Sequence, residues 1–498
     1  MRMKNRKYIY LIILAIIVLL VNLMSIKEGH QWGDDFAQYL AQARAISNGN
    51  IRQFVEDNTY IVLNSPVDMA TPVYPWGFPL LLSAFVPFFG NNIIMYKVVC
   101  CVIGVLAAVL LYLFLSLYMD DHKALMIALG FGLDYSMLKY CNNVISDMLF
   151  LVLTLSCFCL MKDYFEKEQR PIKMLILGLI SGYAYMTRSQ GIALLVGYFL
   201  CHIYLILKNK KIDKSLYPAF LPYCGFLIVF LLDKMLFMHS ERSSLYFLEY
   251  MDLKTFLMNI KYYLVVLYQY VSVPNRFKLF VYICMCLFVL LGFIEYVFVQ
   301  RENVEKISYS FLVSWILVGI NLLFPWHQGA RYMLPVVPVF VMFMGMGITY
   351  AGKLLKIKDK AFLYLEIVAC VLFCLFGPIY YTKKNIDRGR VYYKGAYTDQ
   401  AVEMYEYIDQ NTEKDDLFCF FKPRALYYQT GRLGFKPQEI SFECISNADY
   451  VIFCDEDDYL RVEDLNELIA EYNKENGTNA NLELLLRNIK LTLYKINK

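Results

Sequence analysis

The chain has 498 residues, of which 58% are hydrophobic and 18% charged, with a formal net charge of +4. Soluble globular domains carry about a quarter charged residues, so an ordinary soluble fold is excluded, and a small positive excess without a basic stripe excludes a nucleic-acid partner. Of the 14 Cys, most lie inside apolar runs, among them Cys100, Cys101, Cys157, Cys159, Cys284, Cys286, Cys370 and Cys374, and none shows a zinc-framework spacing.

In chain order, the basic start MRMKNRK leads into an apolar run from Tyr8 to Ile26. The run is long and lacks a small-residue cleavage site before Lys27, which predicts a retained first transmembrane helix. A long loop, residues 27–96, follows. It begins with Gly33-Asp34-Asp35 and continues with Phe36, Tyr39, Leu40, Ala43 and Ile46 at helical spacing, while Gln38, Gln42 and Arg44 lie elsewhere around the turn. That pattern predicts a helix lying on the membrane surface. Trp76–Phe89 is apolar but short, and Pro72, Pro75, Pro79 and Pro87 interrupt its neighbourhood, so it is predicted as an interfacial or re-entrant helix.

Further spans are predicted over Lys97–Tyr118, Ala124–Lys139, Met148–Met161, Met174–Met186, Gly191–Leu207, Tyr217–Phe237, Phe277–Val299, Ser308–Pro325, Tyr332–Tyr350 and Ala361–Tyr381. With the first they make about eleven helices long enough to cross a bilayer. The positive charges orient them. Lys162, Lys167, Arg170 and Lys173, then Lys208, Lys210, Lys211 and Lys214, then Arg301 and Lys306, then Lys353, Lys356, Lys358 and Lys360 all fall on the side of the basic N-terminus. Lys/Arg-rich short loops are cytoplasmic, so the N-terminus is placed inside. Counting Trp76–Phe89 as a span would move every cluster outside.

After residue 381 the composition turns charged and soluble. Ala401, Met404, Tyr405 and Ile408 predict a helix, and Asp416–Phe421, Tyr450–Cys454 and Leu491–Ile496 predict strands. The fold class is therefore a polytopic α-helical membrane protein, residues 1–381, with a small mixed α/β extracytoplasmic domain, residues 382–498, large enough to hold its own core.

This topology gathers the unusual polar residues on the outer side: Asp34 and Asp35 after the first helix, Asp147 before the fourth, Arg188 after the fifth, and His327, Gln328 and Arg331 between the ninth and tenth. Ionisable groups at such depth are costly and point to function. Each also has a plainer role: Asp34 or Asp147 as a helix N-cap, Arg188 as a snorkelling anchor, His327 beside Trp326 in an interfacial belt. Lys422, Arg424 and Arg432 in the tail read first as a solvated face.

At these residues the sequence resembles the GT-C class of membrane glycosyltransferases, most of all the bacterial branch that holds the protein O-mannosyltransferases and the lipid A aminoarabinose transferases (glycosyltransferase family 39-like). The resemblance rests on WGDDFAQYLAQARAI, on YPWGFPLLL followed by FFG, on SDMLF, TRSQG and RYMLPVVPVF, and on FKPRALYYQTGR in the tail. It covers most of the chain, and the order of the motifs carries it. Where the aminoarabinose transferases have a proline pair, this chain reads Tyr74-Pro75-Trp76-Gly77, which argues against a lipid A acceptor.

The resemblance implies a sugar donor carried on a polyprenyl phosphate or diphosphate and an envelope glycan, lipid or protein acceptor. An outward site has no access to cytoplasmic nucleotide sugars, which agrees. The lipid phosphate is a ready leaving group, so the acceptor hydroxyl needs the help. A carboxylate accepting its proton supplies that, and a base opposite the leaving group inverts the sugar carbon. Asp34 and Asp35 are the candidates for base and support in either order, with Asp147 positioning. Arg188 and Arg331 suit a phosphate, and His327 can join them. No cofactor is expected. A divalent metal between the acidic pair and the phosphate is compatible, as in related oligosaccharyltransferases, but not required. Two other classes compete: a lipid or solute transporter, which needs polar residues through both faces, and a non-catalytic envelope protein, which can lose the acidic pair without harm.

Overall fold

The computed structural model describes every residue except 1, 67–70, 163, 166–169, 210–213, 240–245, 301–303, 328, 388, 440, 456–461 and 498. Lys167, Lys210, Lys211, Arg301 and Gln328 therefore lie outside the described residues. The chain divides into two compact units. The first comprises Met1–Ile26, Lys97–Leu236 and Leu245–Asp387, and the second Lys27–Tyr96, Phe237–Ser244 and Arg388–Lys498. The long loop after the first helix thus packs with the tail.

The first unit is helical. Among the described residues, seven helices are long and apolar enough to cross a membrane: Arg6–Met24, Ile93–Leu115, Ser189–Lys208, Tyr217–Leu236, Asn275–Val299, Ala330–Leu354 and Lys360–Ile386. The other predicted spans are helical too. Asp147–Leu160, Pro171–Thr187 and Val304–Leu322 are single helices. Ala124–Lys139 is split into Asp121–Gly132 and Tyr135–Cys141, because Asp134 turns to cap the second piece by accepting from the Ser136 amide at 2.8 Å. Phe277, Phe280, Ile283, Leu287 and Leu290 stay exposed along one helix, a pattern that water penalises and lipid does not. The protein is a multi-pass membrane protein.

Helix Leu253–Val266 has no counterpart in the sequence prediction, because Lys254, Asn259 and Lys261 break its hydropathy below that of a span. Asp252 caps it, accepting from the Thr255 amide at 2.6 Å.

Ion pairs join helix ends in this unit, among them Lys7–Asp121 at 3.1 Å, Lys123–Glu366 at 3.4 Å, Lys208–Glu305 at 2.7 Å and Lys353–Glu295 at 3.6 Å. Glycines let backbones touch. A Cβ added to Gly347 would lie 1.7 Å from the Phe288 carbonyl oxygen, and one added to Gly292 would lie 1.9 Å from that of Phe343. Small residues at such crossings are how helices associate in lipid, where no hydrophobic drive separates protein from tail.

The second unit is an α/β domain. Its strands are β1 (Phe418–Cys419), β2 (Gly434–Phe435), β3 (Tyr450–Cys454), β4 (Asn481–Arg487) and β5 (Leu491–Asn497), in the order β2-β1-β3-β5-β4. β1 runs parallel to β2 and β3, and β5 antiparallel to β3 and β4. Central β3 is wholly buried, as an unbroken apolar strand must be when both faces are covered. Tyr450, Ile452 and Cys454 join the core under helix Asp399–Asn411, while Val451 and Phe453 join Phe442, Ile445 and Ile469 on the other side.

Residues 27–96 belong to this unit by direct pairing. The Glu28 amide donates to the Arg390 carbonyl at 2.9 Å, and the Tyr392 amide to the Glu28 carbonyl at 3.2 Å. Helix Ile51–Leu63 buries Ile61 and Val62 against Tyr427 and Leu433. Helix Asp34–Asn48 does not lie with its polar side open, as predicted: Gln38 and Gln42 are buried with Phe36, Tyr39, Leu40 and Ala43. The Gln38 amide donates to the Pro72 carbonyl at 2.6 Å, and Gln42 both donates to the Tyr74 carbonyl and accepts from its amide. A carboxamide can donate and accept at once, which is why a polar helix face clamps a passing chain here. Gly77–Ser83 and Val86–Phe89 are short helices, and Trp76, fully buried, donates to the Met238 carbonyl at 2.9 Å and stacks on Phe237.

Gly347→Ala is expected to force the Gly292–Gly347 crossing apart and cost about 1–3 kcal/mol or more, read as a lower Tm of the purified protein in detergent. Gly319→Ala, with nothing within 4 Å of the added Cβ, serves as the control and leaves Tm unchanged or slightly raised.

Candidate active site

In the second unit, Gly33 is the N-cap of helix Asp34–Asn48, so neither aspartate is the cap; both sit in the first turn. There the helix dipole favours negative charge. Their surroundings differ. Asp35 Oδ1 accepts from the Tyr74 hydroxyl at 2.9 Å, and Arg424 donates to the same hydroxyl oxygen at 3.0 Å. Arg424 also donates to the Thr71 carbonyl at 2.9 Å. Asp34 Oδ2 lies 3.8 Å from Lys422 Nζ, and its buried Oδ1 has no hydrogen-bond partner among the described residues.

Burial raises the Asp34 carboxyl above its ordinary value; Lys422 and then Arg424 pull it down, and the adjacent Asp35 pushes it up. Burial also drives the Tyr74 phenol well above its usual range, with Asp35 adding to the effect. Tyr74 therefore stays protonated and can only donate to Asp35, which gives the chain of hydrogen bonds one direction: Arg424 to Tyr74 to Asp35. A carboxylate with a poor grip on solvent, an open oxygen and a raised proton affinity has the properties of a general base.

In the first unit, Asp147 opens helix Asp147–Leu160 one residue after its N-cap, Ser146. Its carboxylate pairs with Arg188 at 2.8 Å, and only 3% of its side chain is exposed. Asp147 is thus the counter-ion of a guanidinium rather than a helix cap. Arg188 leaves helix Pro171–Thr187 in an extended conformation, which swings it towards the start of the neighbouring helix. It also reaches Ser146 at 3.4 Å and stacks over the Tyr332 ring at 4.5 Å. Arg331 lies over the same ring at 5.4 Å, so one aromatic ring carries both guanidinium groups. Gln190 and Asn321 brace this corner: Gln190 donates to Asn321 Oδ1 at 2.7 Å, and Asn321 donates to the Tyr332 carbonyl at 3.1 Å.

His327 belongs to another cluster. Its ring stacks flat on Tyr262 at 3.9 Å, and Nε2 meets Asn259 Oδ1 at 2.9 Å. Asn259 spends its amide hydrogens on the Leu322 and Phe324 carbonyls, so its oxygen must accept and His327 Nε2 must donate. Only Nδ1 then remains for a ligand. Among the described residues, no group of three His, Cys, Asp or Glu side chains is placed to hold a metal.

Residues 71–233, a stretch that includes Tyr74, Asp147 and Arg188, match the model of the dolichyl-phosphate-mannose-protein mannosyltransferase family. No curated protein sequence matches the chain. The structure is similar to ArnT from Cupriavidus metallidurans in the apo state, with a TM-score of 0.59 and 10% identity over 97% of each chain. It is similar to the same protein bound to undecaprenyl phosphate, with a TM-score of 0.55 and 11% identity over 97% of each chain. A third likeness is to the archaeal oligosaccharyltransferase AglB from Archaeoglobus fulgidus, in complex with an inhibitory peptide and a dolichol-phosphate. It has a TM-score of 0.54 and 12% identity over 90% of this chain and 70% of that one. The fold is that of the GT-C glycosyltransferases.

Two residues around the acidic pair carried little signal of their role in the sequence. Tyr74 carried no charge to draw notice. Arg424 was assigned to a solvated face, yet it is buried, as is Arg432, which donates to the Thr430 and Thr412 carbonyls and pairs with Asp409. One signal did exist. Arg424 sits in the first turn of helix Pro423–Thr430, the end where the dipole repels a cation, so something else must hold it there.

Arg188→Ala is expected to destabilise the protein by about 3–5 kcal/mol, because it leaves the Asp147 charge buried without its partner. Replacing both, as Arg188→Met with Asp147→Leu, should recover much of that loss. Thermal unfolding of the three variants in detergent checks the order.

Proposed function

We propose that the protein transfers a sugar from a polyprenyl-phosphate or diphosphate donor to an acceptor hydroxyl at the outer face of the cytoplasmic membrane, with inversion at the sugar carbon. The observation that carries this reading is Asp34: a carboxylate in a helix first turn, with one buried oxygen that has no hydrogen-bond partner among the described residues and a proton affinity raised by burial. The lipid phosphates held by ArnT and AglB support a lipid-linked donor. The sugar is a hexose or pentose, and the acceptor an envelope glycan, lipid or protein.

Asp34 is the base. It takes the proton of the acceptor hydroxyl as that oxygen forms its bond to the anomeric carbon. The bond from that carbon to the phosphate oxygen breaks, and the electron pair leaves with the lipid phosphate. Asp35, fixed by Tyr74, keeps the neighbouring charge in place. Arg188 and Arg331 hold the donor phosphate, with Asp147 orienting Arg188, and His327 contributes through Nδ1. Removing such a pre-set donor commonly costs about 100- to 1,000-fold in rate.

The helix-end ion pairs support the alternation of sides that eleven spans require, and the Lys/Arg-rich ends favour the N-terminus inside. Lys7–Asp121, Lys123–Glu366, Lys208–Glu305 and Lys353–Glu295 each join ends that this count puts on the cytoplasmic side. Asp147–Arg188 joins two that it puts outside. On that count the α/β domain is extracytoplasmic. No metal takes part in the proposal, because Lys422 beside Asp34 and Arg424 behind Tyr74 supply positive charge at the acidic pair.

Asp34→Asn should lower kcat for transfer from a polyprenyl-phosphate sugar by about 100- to 10,000-fold while the protein folds normally. The folded state binds the Asp34 proton more tightly than the unfolded state does. Stability is therefore fullest below the ordinary aspartate value and falls as pH rises through the raised one. The Asn variant accordingly keeps or raises Tm at neutral pH. In the wild type, kcat should fall as pH drops through that raised value. Full transfer by both Asp34→Asn and Asp35→Asn would remove the acidic pair from the chemistry.

Treatment of the purified enzyme with EDTA should leave its transfer rate unchanged. Loss of activity that added Mg²⁺ or Mn²⁺ restores would put a divalent ion in the reaction.

A further inference from the structure

The base assignment rests on Asp34, but a base is useful only if its neighbour stays put. Two carboxylates in consecutive positions of one helix turn repel each other, and Asp35 has to be turned away and kept ionised for Asp34 to raise its own proton affinity without both groups protonating at random. The second unit contains a device for this. Tyr74 is clamped by backbone and side chain alike: Gln42 bonds its amide and carbonyl, its ring packs on Tyr39 at 5.2 Å, and Arg424 lies over the ring face at 5.1 Å while donating to its oxygen. A phenol so held has one hydrogen to give, and it points at Asp35.

Arg424 is held as firmly. Only 2% of its surface is exposed. Its helix, Pro423–Thr430, packs on helix Asp34–Asn48, where Arg44 donates to the Tyr428 carbonyl at 2.7 Å and stacks on the Tyr428 ring at 3.7 Å. The guanidinium spans two acceptors, the Tyr74 oxygen and the Thr71 carbonyl, a forked geometry that an ammonium cannot match. The residue that fixes Tyr74 comes from the segment after β1, more than three hundred residues downstream in the sequence.

We infer that Tyr74 and Arg424 are positioning residues of the transfer reaction: Arg424, supplied by the soluble tail, fixes the Tyr74 hydroxyl, and Tyr74 fixes Asp35 so that Asp34 alone serves as base. The inference rests on the proposed sugar transfer for its catalytic meaning, while the hydrogen-bond relay itself does not. It gives the α/β domain a task in the reaction, since removing the tail removes the cation that orders the acidic pair.

The test uses the full chain in detergent with an undecaprenyl-phosphate sugar as donor, and two readouts. The first is transfer as a function of pH. The second is carbodiimide labelling of Asp34 and Asp35 as a function of pH, mapped by mass spectrometry, which reports the protonated carboxyl without needing activity. Tyr74→Phe keeps the ring and loses only the hydroxyl. It should lower kcat by about 10- to 100-fold with the donor KM unchanged, and extend Asp35 labelling to higher pH, because the carboxylate has lost its donor. Arg424→Ala should do the same, and Arg424→Lys should restore part of the rate. Arg432→Ala, which removes an equally buried arginine bonded elsewhere in the unit, is the control for a merely structural effect: it lowers Tm but moves neither the pH profile nor the labelling. A Tyr74→Phe enzyme with wild-type kcat and an unmoved Asp35 labelling curve overturns the inference. If wild-type protein transfers no sugar from lipid donors while Tyr74→Phe still shifts Asp35 labelling, the relay stands and the proposed reaction is what fails.

Discussion

Drawing carboxylates part-way out of water costs free energy unless protein groups answer them, and the second unit meets that cost unevenly. Asp35 is answered by Tyr74 at 2.9 Å, and Tyr74 by Arg424 at 3.0 Å. Asp34 has Lys422 at 3.8 Å and the field of Arg424, and its Oδ1 has no hydrogen-bond partner among the described residues. The same turn of helix therefore carries a satisfied acid and an unsatisfied one. Most of the unit's local structure follows from holding that inequality in place: the glutamines that clamp residues 72–74, the arginine at the wrong end of its helix, and the Glu28–Val391 bridge that ties the first loop to the tail.

The first unit faces the opposite problem. Its solvent is lipid, so exposed apolar side chains cost nothing and the helices must find another reason to associate. Glycine crossings provide it, with backbones so close at Gly292 and Gly347 that no side chain fits. Ion pairs answer several of the charges at helix ends, and Asp147–Arg188 is more buried than Lys7–Asp121 or Lys208–Glu305. A pair buried this deeply contributes little net stability, so its value lies in presenting Arg188, and Arg331 across the shared Tyr332 ring, in one fixed orientation.

What the sequence made legible was whatever depends on local pattern. Long apolar runs announced each span, and every predicted span is helical. Tyr450–Cys454 read as a strand because a central strand must be apolar on both faces. The acidic pair, Asp147, Arg188 and Arg331 stood out as charges in the wrong solvent. Long-range partnership was not legible. β1 and β2 are two residues each, too short to carry an alternation, and β4 is an edge strand whose side chains are mostly open. Gln38 and Gln42 look like a solvent face until the Pro72–Tyr74 chain is laid against them. Arg424 could be called a surface residue only because its acceptors lie in residues 71–74.

Arg424 and Arg432 show how far residue type alone carries. Both are buried arginines eight positions apart in one motif, FKPRALYYQTGR. Arg432 follows the C-terminal end of a helix, where a cation suits the dipole, and it satisfies the Thr430 and Thr412 carbonyls and the exposed Asp409; each of these contacts lowers the energy of the fold. Arg424 begins a helix, against the dipole, and directs its fork at a phenol whose only output is a carboxylate. A residue kept where local electrostatics disfavour it, and where a neutral side chain could fill the same space, is being kept for what it does to something else. In this unit that something is the difference between Asp34 and Asp35.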